Sequence, residues 1–132
     1  DLTQGGKKGN VPYGTISSFD ESIFSFGKLV VGSDDGKVIL TENSGNTWTE
    51  IGNSLPKDLW VSRVIFSKID SSKIYITLNG YRYNDFNPYV FVSNNNGETW
   101  KNISKNPGLP SGTWGISGVS VSPVNSSIIY SK

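Results

Sequence analysis

The chain has 132 residues, about one domain's worth, and that length is enough to bury a sizeable core. Its 12 basic and 11 acidic residues leave a net charge near zero, with no like-charge run longer than a pair such as Lys7-Lys8 or Asp34-Asp35, which argues against nucleic acid or an anionic membrane surface as partner. Cysteine and histidine are absent, so disulfides, thiolate or imidazole metal sites and Ser-His-Asp or Cys-His catalysis are excluded, and no metal or other cofactor is expected.

Residues 1–13, with Gly5-Gly6, Lys7-Lys8 and Pro12, read as a leading loop or as a strand from a preceding unit. Ile16-Ser17-Ser18-Phe19-Asp20 and Lys28-Leu29-Val30-Val31-Gly32 then alternate apolar with small or polar residues, the mark of strands, across a polar turn at 21–27. Lys37-Val38-Ile39-Leu40 makes a third strand and leads into the octet Thr41-Glu42-Asn43-Ser44-Gly45-Asn46-Thr47-Trp48, whose Trp starts a short fourth. The order repeats with Val61-Ser62-Arg63-Val64-Ile65-Phe66-Ser67, Lys73-Ile74-Tyr75-Ile76-Thr77, Tyr89-Val90-Phe91-Val92 and the octet Ser93-Asn94-Asn95-Asn96-Gly97-Glu98-Thr99-Trp100. A third set begins at Ile116-Ser117-Gly118-Val119-Ser120-Val121-Ser122 and stops after Ser127-Ile128-Ile129-Tyr130. No stretch keeps a helical period, and no apolar run approaches the roughly 18 residues of a membrane helix.

Four short antiparallel strands per unit, repeated, predict β-propeller blades. The chain is expected to be all-β, with blade 1 at 14–53, blade 2 at 54–105 and an incomplete blade 3 at 106–132, all in one propeller domain. About two and a half blades cannot close a ring, for which roughly four is the smallest number. Left alone, the last strands would present unpaired edges. The chain is therefore expected to be a fragment, partnered by the remaining blades of the same propeller or by an assembly that supplies them.

The octets share the pattern [ST]-x-N-x-G-x-T-W. Asn43 and Asn95 are expected to bond amides two residues on as Asx turns. Gly45 and Gly97 supply a positive φ. Thr41, Ser93, Thr47 and Thr99 add hydroxyls to the same loop, while Trp48 and Trp100 fill the space between blades and offer an indole N–H to a carbonyl. These octets resemble the Asp-box, or bacterial neuraminidase repeat, of sialidases, xyloglucanase-type glycoside hydrolases and sortilin-type receptors, with Asn where Asp is usual. Asn keeps the acceptor oxygen and loses the charge. Together with Val30-Val31-Gly32-Ser33-Asp34-Asp35-Gly36, Trp60-Val61-Ser62-Arg63 and residues 79–89, they look like segments of secreted bacterial proteins with a sortilin-like propeller, often labelled glycosyl hydrolase. The resemblance implies an extracellular or cell-surface protein and a structural role for the octets on the blade rim.

Function is expected on the opposite ends of the blades, where segments 33–36, 51–60, 79–88 and 103–114 collect. These carry Asp34, Asp35, Asp58, Trp60, Tyr81, Arg82, Tyr83, Asp85, Phe86 and Trp114. Rings beside carboxylates suit a sugar or a peptide, yet Tyr81, Phe86 and Tyr89 also serve to pack a long loop, and Asp34-Asp35-Gly36 also reads as a hairpin turn. Arg63, on an innermost strand, either grips a ligand carboxylate or bonds the next blade. The favoured function is a binding or scaffold module for polypeptide or glycan. The alternative is part of a glycoside hydrolase, with Asp34 and Asp85 as candidate catalytic carboxylates. Sialidase chemistry fits least, because it needs an arginine triad and the chain has only Arg63 and Arg82.

Overall fold

The alternating segments form two four-stranded antiparallel meanders. A computed structural model describes residues 14–109, 119–121, 124 and 129–131. The first sheet comprises β1 (Ile16–Glu21), β2 (Leu29–Ser33), β3 (Val38–Thr41) and β4 (Thr49–Glu50), each paired with the next. The second repeats that order with β5 (Trp60–Phe66), β6 (Ile74–Gly80), β7 (Asp85–Ser93) and β8 (Lys101–Asn102). A further antiparallel pair, β9 (Val119–Val121) with β10 (Ile129–Ser131), follows. Among the described residues the only helix is a single 3-10 turn, Tyr81–Tyr83. The class is all-β, built of propeller blades. Residues 1–13, and most of the expected third blade, lie outside the described residues.

The main core lies between the two sheets. Val30, Val38 and Leu40 from the first meet Val61, Val64, Phe66, Ile74 and Ile76 from the second, and Ile51, Leu55 and Leu59 of the β4–β5 connection join the same cluster. Burying each such side chain stabilises by about 1.5–3 kcal/mol, so this joint matters more than any single turn. On the far side of the second sheet, Tyr75, Val90 and Ile103 begin another cluster. β6 is thus covered on both faces, which is why its sequence is nearly continuous in apolar residues instead of alternating.

Polar groups finish the joint. β5 forms its ladder with β6 on one edge only, and its other edge faces β1. There Val64 N donates to Ser18 Oγ at 3.1 Å, and Phe66 N donates to Asp20 Oδ2 at 2.9 Å. Ser17 Oγ returns a bond to Val61 O at 2.6 Å. Both inner strands shift register at the same place, between Ile16 and Ser18 and between Val61 and Arg63, so a serine sits at each bulge. Closer to the turns, the buried Lys28 donates Nζ to Asn96 Oδ1 at 2.7 Å and to Ser71 O at 3.2 Å, and pairs with Glu42 at 3.5 Å. Gly32 leaves the room that Val61 fills, since a Cβ there would lie 2.3 Å from Val61 Cγ1.

Removing either acceptor leaves a β5 amide without its partner. Ser18→Ala and Asp20→Ala are each expected to lower unfolding stability by about 1–3 kcal/mol in urea titrations. Gly32→Ala should cost about 1–3 kcal/mol through overpacking. Lys57→Ala, at an exposed position of the β4–β5 connection, should change stability by less than about 0.5 kcal/mol.

Candidate functional site

A meander sends its connections alternately to two ends. The β1–β2, β3–β4, β5–β6 and β7–β8 turns lie at one end of the blades, and the β2–β3, β4–β5 and β6–β7 connections at the other.

The octets occupy the first end and are closed on themselves. Thr41 Oγ1 accepts from Asn43 N at 3.3 Å and Gly45 N at 3.0 Å, while Thr47 N donates to Asn43 Oδ1 at 2.9 Å and Asn43 Nδ2 to Thr47 Oγ1 at 2.8 Å. Ser93, Asn95, Gly97 and Thr99 repeat these bonds. The expected Asx turn is corrected in detail: the hydroxyl serves the amides two and four residues on, and the Asn oxygen reaches the fourth. That division works because Ser44 and Asn96, as well as Gly45 and Gly97, adopt positive φ and curl the loop tightly. Each octet also donates an amide to the preceding turn, Ser44 N to Gly27 O and Asn96 N to Ser72 O. Trp100 Nε1 donates to Ile51 O at 2.7 Å across the joint, whereas Trp48 stays 43% exposed.

At the second end the Asp34-Asp35-Gly36 segment is a hairpin turn. Gly36 N donates to Ser33 O, Ser33 N to Lys37 O, and Gly36 has φ +87. Asp35 is buried and accepts from Ser33 Oγ. Asp34 is buried too. Its Oδ1 accepts from Gly14 N at 2.7 Å and Thr15 N at 2.8 Å, and its Oδ2 lies 3.3 Å from Arg82 Nη2. Arg82 reaches from the second sheet to the first, donating also to Asp34 O at 3.4 Å, with its guanidinium 4.7 Å above the Trp60 ring. The arrangement thereby brings Asp34, Trp60 and Arg82 into one cluster that spans two blades.

Residues 79–88 are not the long loop the sequence suggests. β6 runs on to Gly80 and β7 begins at Asp85, with Gly80 opposite Asp85, leaving a short connection of the 3-10 turn and Asn84 at φ 57. Phe86, Asn87 and Pro88 bulge from β7 between Asp85 and Tyr89. The Asp85 carboxylate closes that bulge, accepting from Asn87 N at 3.0 Å, Asn87 Nδ2 at 2.7 Å and Tyr89 Oη at 2.6 Å. The Tyr89 hydroxyl first, then the Asn87 amide, hold the Asp85 carboxyl below its ordinary range, and the same bond with Asp85, with burial, pushes the Tyr89 phenol up. Asp85 is therefore set to accept hydrogen bonds and is unsuited to give up a proton as a general acid near neutrality.

Four rings crown this end. Trp60 is 36% exposed, and Tyr81, Tyr83 and Phe86 are between 46% and 48%. Tyr81 and Phe86 touch, with centroids 5.5 Å apart and planes tilted by 38°. Arg63 is exposed on β5 beside the Ser62 bulge, away from the first sheet, and its side chain bonds none of the described residues. Asp58 takes φ 62 within the β4–β5 connection, and Trp114 lies outside the described residues. Sequence reading missed Ser17, Ser18, Asp20 and Lys28. The only sequence signal is the alternation of β1, which puts Ser18 and Asp20 on one face; the bulge that aligns Ser17 with Ser62 shows only in the strand register.

No protein-family model and no curated protein matches the chain. Solved structures do match. The GH74 xyloglucanase of Xanthomonas campestris superposes with a TM-score of 0.61 at 14% identity, over 85% of this chain and 18% of that one. The GH74 enzyme of Niastella koreensis gives 0.60 at 19% identity, over 85% and 18%. YCF48 from Cyanidioschyzon merolae gives 0.55 at 20% identity, over 83% and 29%, and a structure of YCF48 bound to D1 peptide gives 0.54 at 10%, over 85% and 31%. The chain thus spans less than a third of each of these four structures. Likeness at this identity shows the fold, consistent with the blades described above.

The Asp85–Tyr89 bond makes a pH prediction. A depressed Asp85 pKa contributes stability that is present above the ordinary value near 3.8 and lost as pH falls through the folded value. A raised Tyr89 pKa contributes stability that is present below the ordinary value near 10.0 and lost as pH rises through the folded value. Asp85→Asn should flatten both limbs of the unfolding-midpoint profile by lowering the plateau between them toward the values at the extremes; Tyr89→Phe should likewise lower the plateau, flattening the alkaline limb and part of the acid one.

Proposed function

We propose that this chain is part of an extracellular or cell-surface propeller that works as a binding or scaffold module, taking a polypeptide or glycan on the end crowned by Trp60, Tyr81, Tyr83 and Phe86. One observation carries the reading: four exposed rings sit on a rigid double-blade support while the carboxylates among them are engaged internally. Asp34 is tied to Arg82 and two amides, and Asp85 to Tyr89 and Asn87. Such a surface offers stacking area and amide groups, including Asn84 and Asn87, without a pair of carboxyls disposed for proton transfer. Exposed rings on loops over a fixed scaffold are a common form of recognition site.

Comparison supports the polypeptide side of this reading, because YCF48, a protein of like fold, is seen with a bound D1 peptide. The GH74 neighbours keep the hydrolase alternative in view. That alternative needs two carboxyls roughly 5–10 Å apart across a scissile bond, and Asp34 and Asp85 are its candidates. The self-closed octets support reading them as Asp-boxes and the chain as akin to sortilin-like secreted bacterial propellers. On this reading residues 14–53 and 54–105 are successive blades, and further blades of the same propeller are its first partners.

Binding by the crown is tested on arrays of neutral glycans and of peptides probed with the full-length protein. Tyr81→Ala and Phe86→Ala are each expected to weaken the best ligand by about tenfold or more, the effect of removing an aromatic anchor, while leaving the unfolding free energy within about 1 kcal/mol of wild type. Turnover of any bound glycan, abolished by Asp34→Asn or Asp85→Asn in a folded protein, would overturn the binding reading in favour of the hydrolase.

A further inference from the structure

Aligning the two sheets at their serine bulges, Ser17 on Ser62, sets Ile16 on Val61, Phe19 on Val64, Glu21 on Phe66 and Phe26 on Ser71; the octets set Trp48 on Trp100. In the second sheet this side is covered by the first. Val61 and Val64 are fully buried, and Trp100 is bonded to Ile51 O. In the first sheet the same side is bare: Ile16 is 54% exposed, Phe19 69%, Phe26 91% and Trp48 43%. Register carries the match to the backbone. Phe19 and Glu21 pair with β2 as Val64 and Phe66 pair with β6, so their amides point where those of Val64 and Phe66 meet Ser18 and Asp20.

We propose that this bare side is the receiving half of a blade joint, and that its occupant is a further four-stranded blade of the same ring whose inner strand carries two hydrogen-bond acceptors, two residues apart, for the amides of Phe19 and Glu21. The acceptors are Ser, Thr, Asp or Asn, as at Ser18 and Asp20. After its fourth strand this blade presents an aliphatic residue whose carbonyl takes the Trp48 indole N–H, as Ile51 does for Trp100. It also gives Phe26 an apolar contact, where the described joint has Lys28 bonded to Ser71 O. The inference rests on the reading that further blades complete the ring, and it adds what the adjoining one must carry. A second copy of the two described blades does not fit. Ser18 and Asp20 are engaged by β5, and β5 places Arg63 and Ile65 at the matching positions, where neither accepts a bond.

Amide hydrogen exchange on the full-length protein tests the proposal, with thiol labelling of Phe26→Cys and Trp48→Cys after any cysteine outside these cysteine-free 132 residues is replaced by Ser. The Phe19 and Glu21 amides should exchange within about tenfold of Val64 and Phe66, and both thiols should react at least about tenfold more slowly than one at Lys57→Cys. Protected thiols beside fast-exchanging Phe19 and Glu21 amides would show an adjoining blade without the two acceptors, overturning the inference and leaving the ring reading intact. Fast exchange and fast labelling together would overturn both. Concentration-dependent self-association of the 132-residue chain, abolished by Phe19→Asp, would assign the face to a second copy and also overturn the inference.

Discussion

An inner strand of a meander can form its ladder on one side only, and the amides on its other edge must find acceptors elsewhere or remain with water. The joint between β1 and β5 answers that constraint with side chains. Ser18 and Asp20 stand on the face of β1 that looks toward β5, and they receive Val64 N and Phe66 N. Other features follow from the closeness this requires. Ser17 is pushed out at a bulge to reach Val61 O, Gly32 gives up its side chain to Val61, and Phe66 turns inward beneath the Lys28 ammonium, whose Nζ lies 5.9 Å from the ring centroid. Apolar burial supplies most of the attraction, while these bonds fix the distance and register at which it acts.

The two ends of the blades are built differently because they meet different demands. At the octet end the hydroxyl and Asn bonds of each loop close within eight residues, while Ser44 N and Asn96 N tie it to the neighbouring turn and Asn96 Oδ1 and Trp100 Nε1 reach across the joint. Such a unit can be repeated with little regard for its surroundings. At the other end Asp85 closes its own bulge locally, but the groups between the blades are answered over long sequence separations. Arg82 reaches Asp34, and Asp34 in turn holds the start of β1 through Gly14 N and Thr15 N. The charges there serve to lock two blades together, and what remains for solvent is largely aromatic.

That contrast also explains what could be read from the sequence. The strands and octets were legible because alternation, Asn-x-Gly spacing and the Asp35-Gly36 hairpin signal are local chemistry. The joint was not, since Ser18 and Val64 lie 46 positions apart and Arg82 and Asp34 lie 48 apart. Nothing adjacent to Asp20 distinguishes an acceptor for the next blade from an ordinary surface carboxylate. Residues 79–88 misled for another reason. Gly80, Asn84 and Pro88 are turn residues, yet one carboxylate, Asp85, ties the bulge and lets the strands continue past them. Of the proposed crown, the rings were visible by type and spacing, but the pairing of Arg82 with Trp60 and Asp34 arises only when the two sheets pack together.

The continuation of β6 and β7 gives the crowned end a relief that a flat ring would lack. β6 has seven residues where β2 has five, and β7 has nine where β3 has four. At roughly 3.3 Å per residue, the second blade rises about 7 Å or more above its neighbour. It stands as a parapet, with the Arg82–Trp60 stack at its foot and the Tyr81–Phe86 pair along its top. Among the described residues, a molecule settling on the lower first blade would abut this wall on one side. The surface therefore has a handedness of approach, and an elongated ligand would be oriented before any specific contact was made.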